Sequence, residues 1–339
     1  MAEDTEINEP TVPEQAESPK SSTDETPFPK IKHIIMSGGG AYGLAFYGVL
    51  RESQKAGFWK YDNIKTVYGI SIGALVATMV LLTKKLSWEL LDNYWLKRPW
   101  QHIIQFNVET LIHSFHTKGL FDKHIVEKIM LPMFNAVDIS IDITLAEFYR
   151  EFPIELHFIS TEMTQSQVVD FNYKTHPEWK LIDALYCSVC LPVFFSPYEL
   201  DGKVYLDGGV FCNVPTAQCI ANGAAPDEIF TIIACANPNI ASVKNTDVAF
   251  SHIIEFMLWL IGKIWRQAMN DAVQVPHTIY VHMATEYINI YEMFEFAKSP
   301  EVRQRILDEG IDKWTKFITD YKESFHTTIN SVDDSNSAD

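Results

Sequence analysis

The chain is poor in basic charge. Its 339 residues hold 27 Lys and Arg against 44 Asp and Glu, a formal net charge of −17. A general nucleic-acid binder needs a basic footprint, so that partner class is set aside. Purely electrostatic attachment to anionic lipid is disfavoured for the same reason. Long apolar runs are also lacking. The most apolar stretch, Phe256-Met257-Leu258-Trp259-Leu260-Ile261-Gly262, is far short of the roughly 20 residues that span a bilayer. The first residues are acidic and show no basic head before an apolar run, so they do not read as a secretory signal. Cysteines are few and odd in number: Cys187, Cys190, Cys212, Cys219 and Cys235. Reduced thiols in a cytoplasmic setting are the expectation. Cys187-Ser188-Val189-Cys190 has C-x-x-C spacing, but no second pair accompanies it, so ordinary buried thiols are expected. Neither an acidic calcium loop nor a cluster of histidine ligands is present, and no metal or cofactor is called for.

What is there has a clear order. Residues 1–29 carry eight acidic residues against one Lys, with little apolar surface to bury, and read as a disordered tail. Residues 331–339 read the same way. Between them, residues 30–330 alternate strand-like and helix-like segments. Ile31 to Met36 is a short apolar strand, followed by glycines and a helical pattern from Ala41 to about Lys55, stopped at Gly57. Lys65 to Tyr68, Ile154 to Ser160, Val204 to Leu206 and Ile229 to Ala234 are further strand candidates. This alternation predicts an α/β layer structure with a mostly parallel sheet. Residues 86–150 carry few strand signals and read as a helical insertion or cap. Ser299-Pro300-Glu301 starts a terminal helix, expected to pack on the sheet.

Three motifs carry chemistry. Gly38-Gly39-Gly40-Ala41-Tyr42-Gly43 fits G-x-G-x-x-G literally. The dinucleotide reading also wants an acidic residue at the end of the second strand, and that strand ends in Gly69-Ile70-Ser71. A phosphate loop wants Gly-Lys-Ser/Thr, which is absent. A nest of backbone N–H groups at a helix N-terminus remains, able to bind negative charge such as an oxyanion. Gly69-Ile70-Ser71-Ile72-Gly73 is G-x-S-x-G between a strand and a helix, the setting of a nucleophile elbow. Asp207-Gly208-Gly209 puts a carboxylate on a glycine turn after a strand, where it can take a proton from a serine hydroxyl. Taken singly, each has a plain reading as a tight turn.

The order of the three motifs, each after a strand, resembles the patatin-like acyl hydrolases over roughly residues 31–236. The segment from Asp183 to Phe195 is similar to that family's Ala/Ser-rich, Pro-containing stretch. Asp201 to Gly209 and Asn213-Val214-Pro215 follow as in the family. The resemblance implies a three-layer α/β/α fold and a catalytic dyad of Ser71 and Asp207. It implies an oxyanion hole from the N–H groups of Gly38, Gly39 and Gly40, with Gly43, Gly69, Gly73, Gly208 and Gly209 as elbow and motif glycines. The implied substrate is a fatty-acyl ester, most readily a phospholipid, with peripheral membrane contact. One departure is plain: the family usually has Arg or Lys where this chain has Tyr42.

Alternatives stay open at this level. His252, His277, His282 and His326 lie downstream of Asp207, so a Ser-Asp-His order is available. An acyltransferase would use the same dyad, and a non-catalytic lipid-binding protein would use the same fold. Residues 253–265 read either as an interfacial or lid helix or as a buried one. Their nearly all-round apolar pattern favours burial.

Overall fold

A computed structural model describes residues 28–105, 107–237, 253–268, 272–284 and 290–336. In chain order the strands are β1 His33–Met36, β2 Thr66–Gly69, β3 Gly119–Phe121, β4 Glu155–Glu162, β5 Gln167–Phe171, β6 Val193–Phe195, β7 Tyr198–Leu200, β8 Lys203–Asp207, β9 Ile229–Ala236 and β10 His277–Met283. The helices are α1 Gly43–Lys55, α2 Ile72–Leu82, α3 Trp88–Lys97, α4 Val108–Thr117, α5 Lys123–Ala136, α6 Leu145–Glu151, α7 Leu181–Val189, α8 Thr216–Ala221, α9 Ile253–Ala268, α10 Ile290–Lys298 and α11 Pro300–Asn336.

β10, β9, β1, β2 and β4 lie side by side in that order and run parallel. β5 and β8 are antiparallel to β4, and β7 is antiparallel to β8. β3 and β6 form a separate ribbon. Successive strand residues face opposite ways. Ile34 and Met36, with Phe230 and Ile232, enter a large core with α1, α2, α7 and α11. Ile35, Ile229 and Ile233 face a smaller core closed by Val214, Cys219 and Ala224 around α8. The protein is therefore a three-layer α/β/α structure with a mostly parallel central sheet.

β4 is forked along one edge. Phe158 pairs with Gly69 of β2 and with Phe171 of β5, while Ser160 pairs with Asp207 of β8 and with Val169 of β5. Two partners of one residue lie on opposite edges, so β2 and β8 share the edge that β5 leaves. They approach from opposite directions, and their ends face each other across Ile159.

Several expectations shift. The ring of Phe28 packs 5.6 Å from that of Phe58, so the folded part starts before residue 30; residues 1–27 lie outside the described residues. The terminal helix α11 runs to Asn336, past the boundary expected at 330, because each further residue of a formed helix gains a backbone bond. It packs mainly across α1, where a Cβ on Gly310 would lie 2.1 Å from the Ala45 carbonyl oxygen. Residues 86–150 hold α3 to α6 and the short β3. The burial reading of residues 253–265 is overturned. α9 buries Leu258, Gly262 and Trp265 along one stripe, while Phe256, Met257, Leu260 and Ile264 are 38–42% exposed. Only that single stripe meets the protein. Among the described residues no helix is long and apolar enough to cross a membrane. Cys187 and Cys190 are free and buried, and burial pushes both thiols up.

Candidate active site

The break between β2 and β8 is where the sequence motifs meet. β2 ends at Gly69, and Ser71 stands at the head of α2 with φ 54° and ψ −126°. A non-glycine residue at positive φ is strained, and such strain collects at functional positions. The turn closes only because its glycines are bare. A Cβ on Gly73 would lie 2.6 Å from the carbonyl oxygens of Met36 and Ser37, and one on Gly69 would lie 2.5 Å from the Ala74 Cα.

β8 delivers Asp207 from the other side. Its carboxyl is 1% exposed, and Oδ1 accepts the Gly209 N–H at 2.7 Å. Oδ2 is buried, with no hydrogen-bond partner among the described residues. Burial raises the pKa to about 7, against the opposing pull of the Ser71 hydroxyl and the Gly209 amide. Ser71 is thus an interacting neighbour of Asp207, yet their contact falls short of full hydrogen-bond geometry. Catalytic hydrogen bonds are commonly loose before substrate is engaged.

Both residues hang from one helix end. The Ser71 N–H donates to the Ser188 carbonyl at 3.0 Å, and the Asp207 N–H donates to the Cys190 carbonyl at 3.1 Å. The Ser188 hydroxyl fills the break itself, donating to the Ile159 carbonyl at 2.7 Å. Ser160 Oγ bonds the Cys187 and Leu206 carbonyls at 2.8 and 2.9 Å. Motif reading had given Ser188 and Ser160 no task of this kind; only the pairing of β4 exposes it.

The glycine nest follows β1. Gly40 has φ +55°, a conformation that suits glycine. The Gly38 amide is already engaged, donating to Asn213 Oδ1 at 3.0 Å. Of the three expected oxyanion donors, Gly38 is therefore committed elsewhere. Among the described residues no acceptor is bonded to the N–H of Gly39 or Gly40, nor to that of Ile72, the residue after Ser71. A Cβ on Gly43 would lie 2.1 Å from Ile72 Cγ1, so the N-termini of α1 and α2 converge. Their dipoles both favour negative charge there. Tyr42 does not replace a basic residue electrically: its hydroxyl accepts the Ala284 N–H at 2.6 Å, tying the nest to the end of β10, and burial raises its pKa.

Ser71, Gly40, Ala41 and Ile72 form part of the wall of a cavity with about 720 Å³ of empty space, some of it open to solvent. The rest of the wall is apolar, including Leu75, Ile104, Ile129, Leu191, Phe194 and Met293. Ile104 and Ile129 come from the helical segment 86–150. His277 packs against Phe58, and His282 faces Lys313. Among the described residues no histidine is bonded to Ser71 or Asp207; His252 lies outside them, as does the side chain of His326.

The patatin-like phospholipase family profile matches residues 34–220. The chain belongs to this family. A probable lipid hydrolase of invertebrate iridescent virus 6 is 24% identical over 187 residues, covering 54% of this chain and 61% of that protein. The neuropathy target esterase sws of Drosophila melanogaster is 24% identical over 284 residues, covering 83% of this chain and 18% of that protein. The chain thus spans about three fifths of the first of these patatin-like relatives and a small part of the second. Among solved structures, VipD from Legionella pneumophila aligns with TM-score 0.49 and 17% identity, over 86% of this chain and 67% of that one.

Proposed function

We propose that this patatin-like protein hydrolyses fatty-acyl esters of lipids, with Ser71 as nucleophile and Asp207 as base. The observation that carries the reading is the strained Ser71 set in the wall of an apolar cavity, next to a buried carboxylate with one free oxygen. Asp207 Oδ2 takes the Ser71 proton as Oγ attacks the ester carbonyl carbon. The oxyanion is held by the N–H groups of Gly39, Gly40 and Ile72. Collapse expels the alcohol, which recovers the proton from Asp207, and leaves the acyl chain on Ser71 Oγ. Asp207 then takes a proton from water, the resulting hydroxide attacks the acyl-enzyme, and the fatty acid leaves as Ser71 regains its proton. The test is a fluorophosphonate probe together with lipid hydrolysis. Wild type is expected to label and to release fatty acid, and Ser71→Ala to do neither; an unlabelled wild type that folds would end the proposal.

The substrate is expected to be a phospholipid met at a membrane surface. α9 contacts β6, and α4 contacts β3 beside it. Both helices turn apolar side chains outward: Met257, Leu260 and Ile264 on α9, Val108, Ile112 and Phe115 on α4. With net charge −17, attachment by apolar insertion is expected, with no need for anionic lipid. Changing Leu260 and Ile264 together to Ser should weaken flotation with phosphatidylcholine vesicles about tenfold. Undiminished flotation of the folded variant would rule out this face.

A further inference from the structure

Asn213 and Trp265 have no step in the reaction above. Asn213 lies six residues beyond Asp207 and is fully buried. Its Oδ1 accepts the Gly38 N–H at 3.0 Å. The same oxygen would lie 3.1 Å from a Cβ placed on Gly209. Trp265 arrives from α9, and its indole covers the same two glycines. Cζ2 would lie 3.1 Å from a Cβ on Gly38, and Nε1 2.8 Å from one on Gly209. One amide and one indole therefore each touch both the glycine nest and the Asp207 turn. The Gly38 position is itself close to the nucleophile, 3.2 Å from Ser71 Cβ by the same measure. Asn213 Nδ2 is buried, with no hydrogen-bond partner among the described residues. A buried amide left half unpaired is unfavourable, so its place must be explained by what its other half does.

We propose that Asn213 and Trp265 are positioning residues that lock the glycine nest to the Asp207 turn, fixing the anion-binding amides relative to the base. This rests on the Ser71–Asp207 reading. The lock explains why Gly38 spends its amide on Asn213: the bond orients the next two amides, Gly39 and Gly40. It also explains why the stripe of α9 that meets the protein carries Trp265 on to the two glycines, while Phe256, Met257, Leu260 and Ile264 face outward. Displacing either group shifts donors against base, and a shift of about 1 Å at a reacting centre is worth about 100-fold in rate.

The test uses the full chain and p-nitrophenyl butyrate, a dissolved ester, so that surface binding plays no part. Asn213→Ala and Trp265→Leu are each expected to lower kcat about 100-fold with KM within about twofold. Trp265→Phe, which keeps a ring in the slot, is expected to recover most of kcat. The double variant is expected to lose little more than either single one, as residues acting as a unit do. A near-wild-type kcat in folded variants, a loss carried by KM alone, or full additivity would overturn the lock. Should Asn213→Ala fail to fold, the Trp265→Leu and Trp265→Phe pair decides by the same criteria. Ser71→Ala is the separate control: if it keeps wild-type turnover, the dyad falls, whatever the other variants do.

Discussion

Two carboxylates flank β4, Asp170 partly buried and Asp207 sealed off, and the protein treats them in opposite ways. Asp170, on β5, accepts His157 Nδ1 at 2.8 Å and Gln218 Nε2 at 2.7 Å. His157 also faces Glu155 at 3.4 Å and stacks on Tyr68 with ring centroids 4.0 Å apart. Burial pulls the His157 pKa down, but its hydrogen bond to Asp170 and the nearby Glu155 carboxylate outweigh burial and hold it above the ordinary value. Asp207, by contrast, is sealed away with one oxygen unpartnered and no cation among the causes of its shift. The first arrangement is what a fold does with a buried charge when stability is the only demand. The second is stability given up at one place, the pattern of a site kept ready to accept a proton.

The comparison is tested most severely by neutralising each acid in turn. Asp207→Asn should lower ester turnover about 10⁴-fold or more. The same change should stabilise the fold at pH 8. The Asp207 carboxyl titrates near 7 when folded and near 4 when unfolded. Between those values the folded state holds the extra proton, so stability falls as pH rises through that window. The gap corresponds to roughly 4 kcal/mol above pH 7, an upper bound on the gain from Asn, shrinking to nothing near pH 4. Asp170→Asn should do the reverse, leaving turnover nearly intact but destabilising by about 2 kcal/mol as buried His157 loses its charged partner. Because the His157 pKa is raised, that loss should be full below about pH 6.5 and fade as pH climbs past the folded value. Paired melting curves at pH 5 and pH 8 check both signs, and equal shifts for the two variants would erase the distinction. A gentler test is the pH profile: kcat on a dissolved ester should fall about tenfold per unit below pH 7, the value to which burial raises Asp207. A profile flat down to pH 5 would mean the base lies elsewhere.

The sequence made the parallel half of the fold legible, since buried apolar strands such as His33–Met36 and Ile229–Ala236 stand out against their glycine turns. β10 and the antiparallel β5 and β7 did not stand out. β10 alternates, with Tyr280 outward between buried Ile279 and Val281, and the strands of the antiparallel edge are short or partly exposed. Within the proposed site, Ser71, Asp207 and the nest glycines were readable because each sits in a glycine-rich turn directly after a strand. The roles of Asn213, Ile72 and Trp265 were not, because Asn213 and Trp265 act through contacts with Gly38, far along the chain, and Ile72 through a backbone amide that any residue supplies. The exposed flank of α9 was misread for a related reason: composition counts apolar residues, while burial depends on which stripe meets the protein.

The end of α7 has one more consequence. Ser71 follows β2 and Asp207 ends β8, two strands that run toward each other, so any breathing of the sheet that parts β2 from β8 would separate them. Their amides, however, are referenced to carbonyls only two residues apart, at Ser188 and Cys190. A displacement of that helix end carries both groups along together, and what moves them in common cancels from the distance between them. The structure works here like a differential gauge, which rejects drift in the frame and responds only to relative motion.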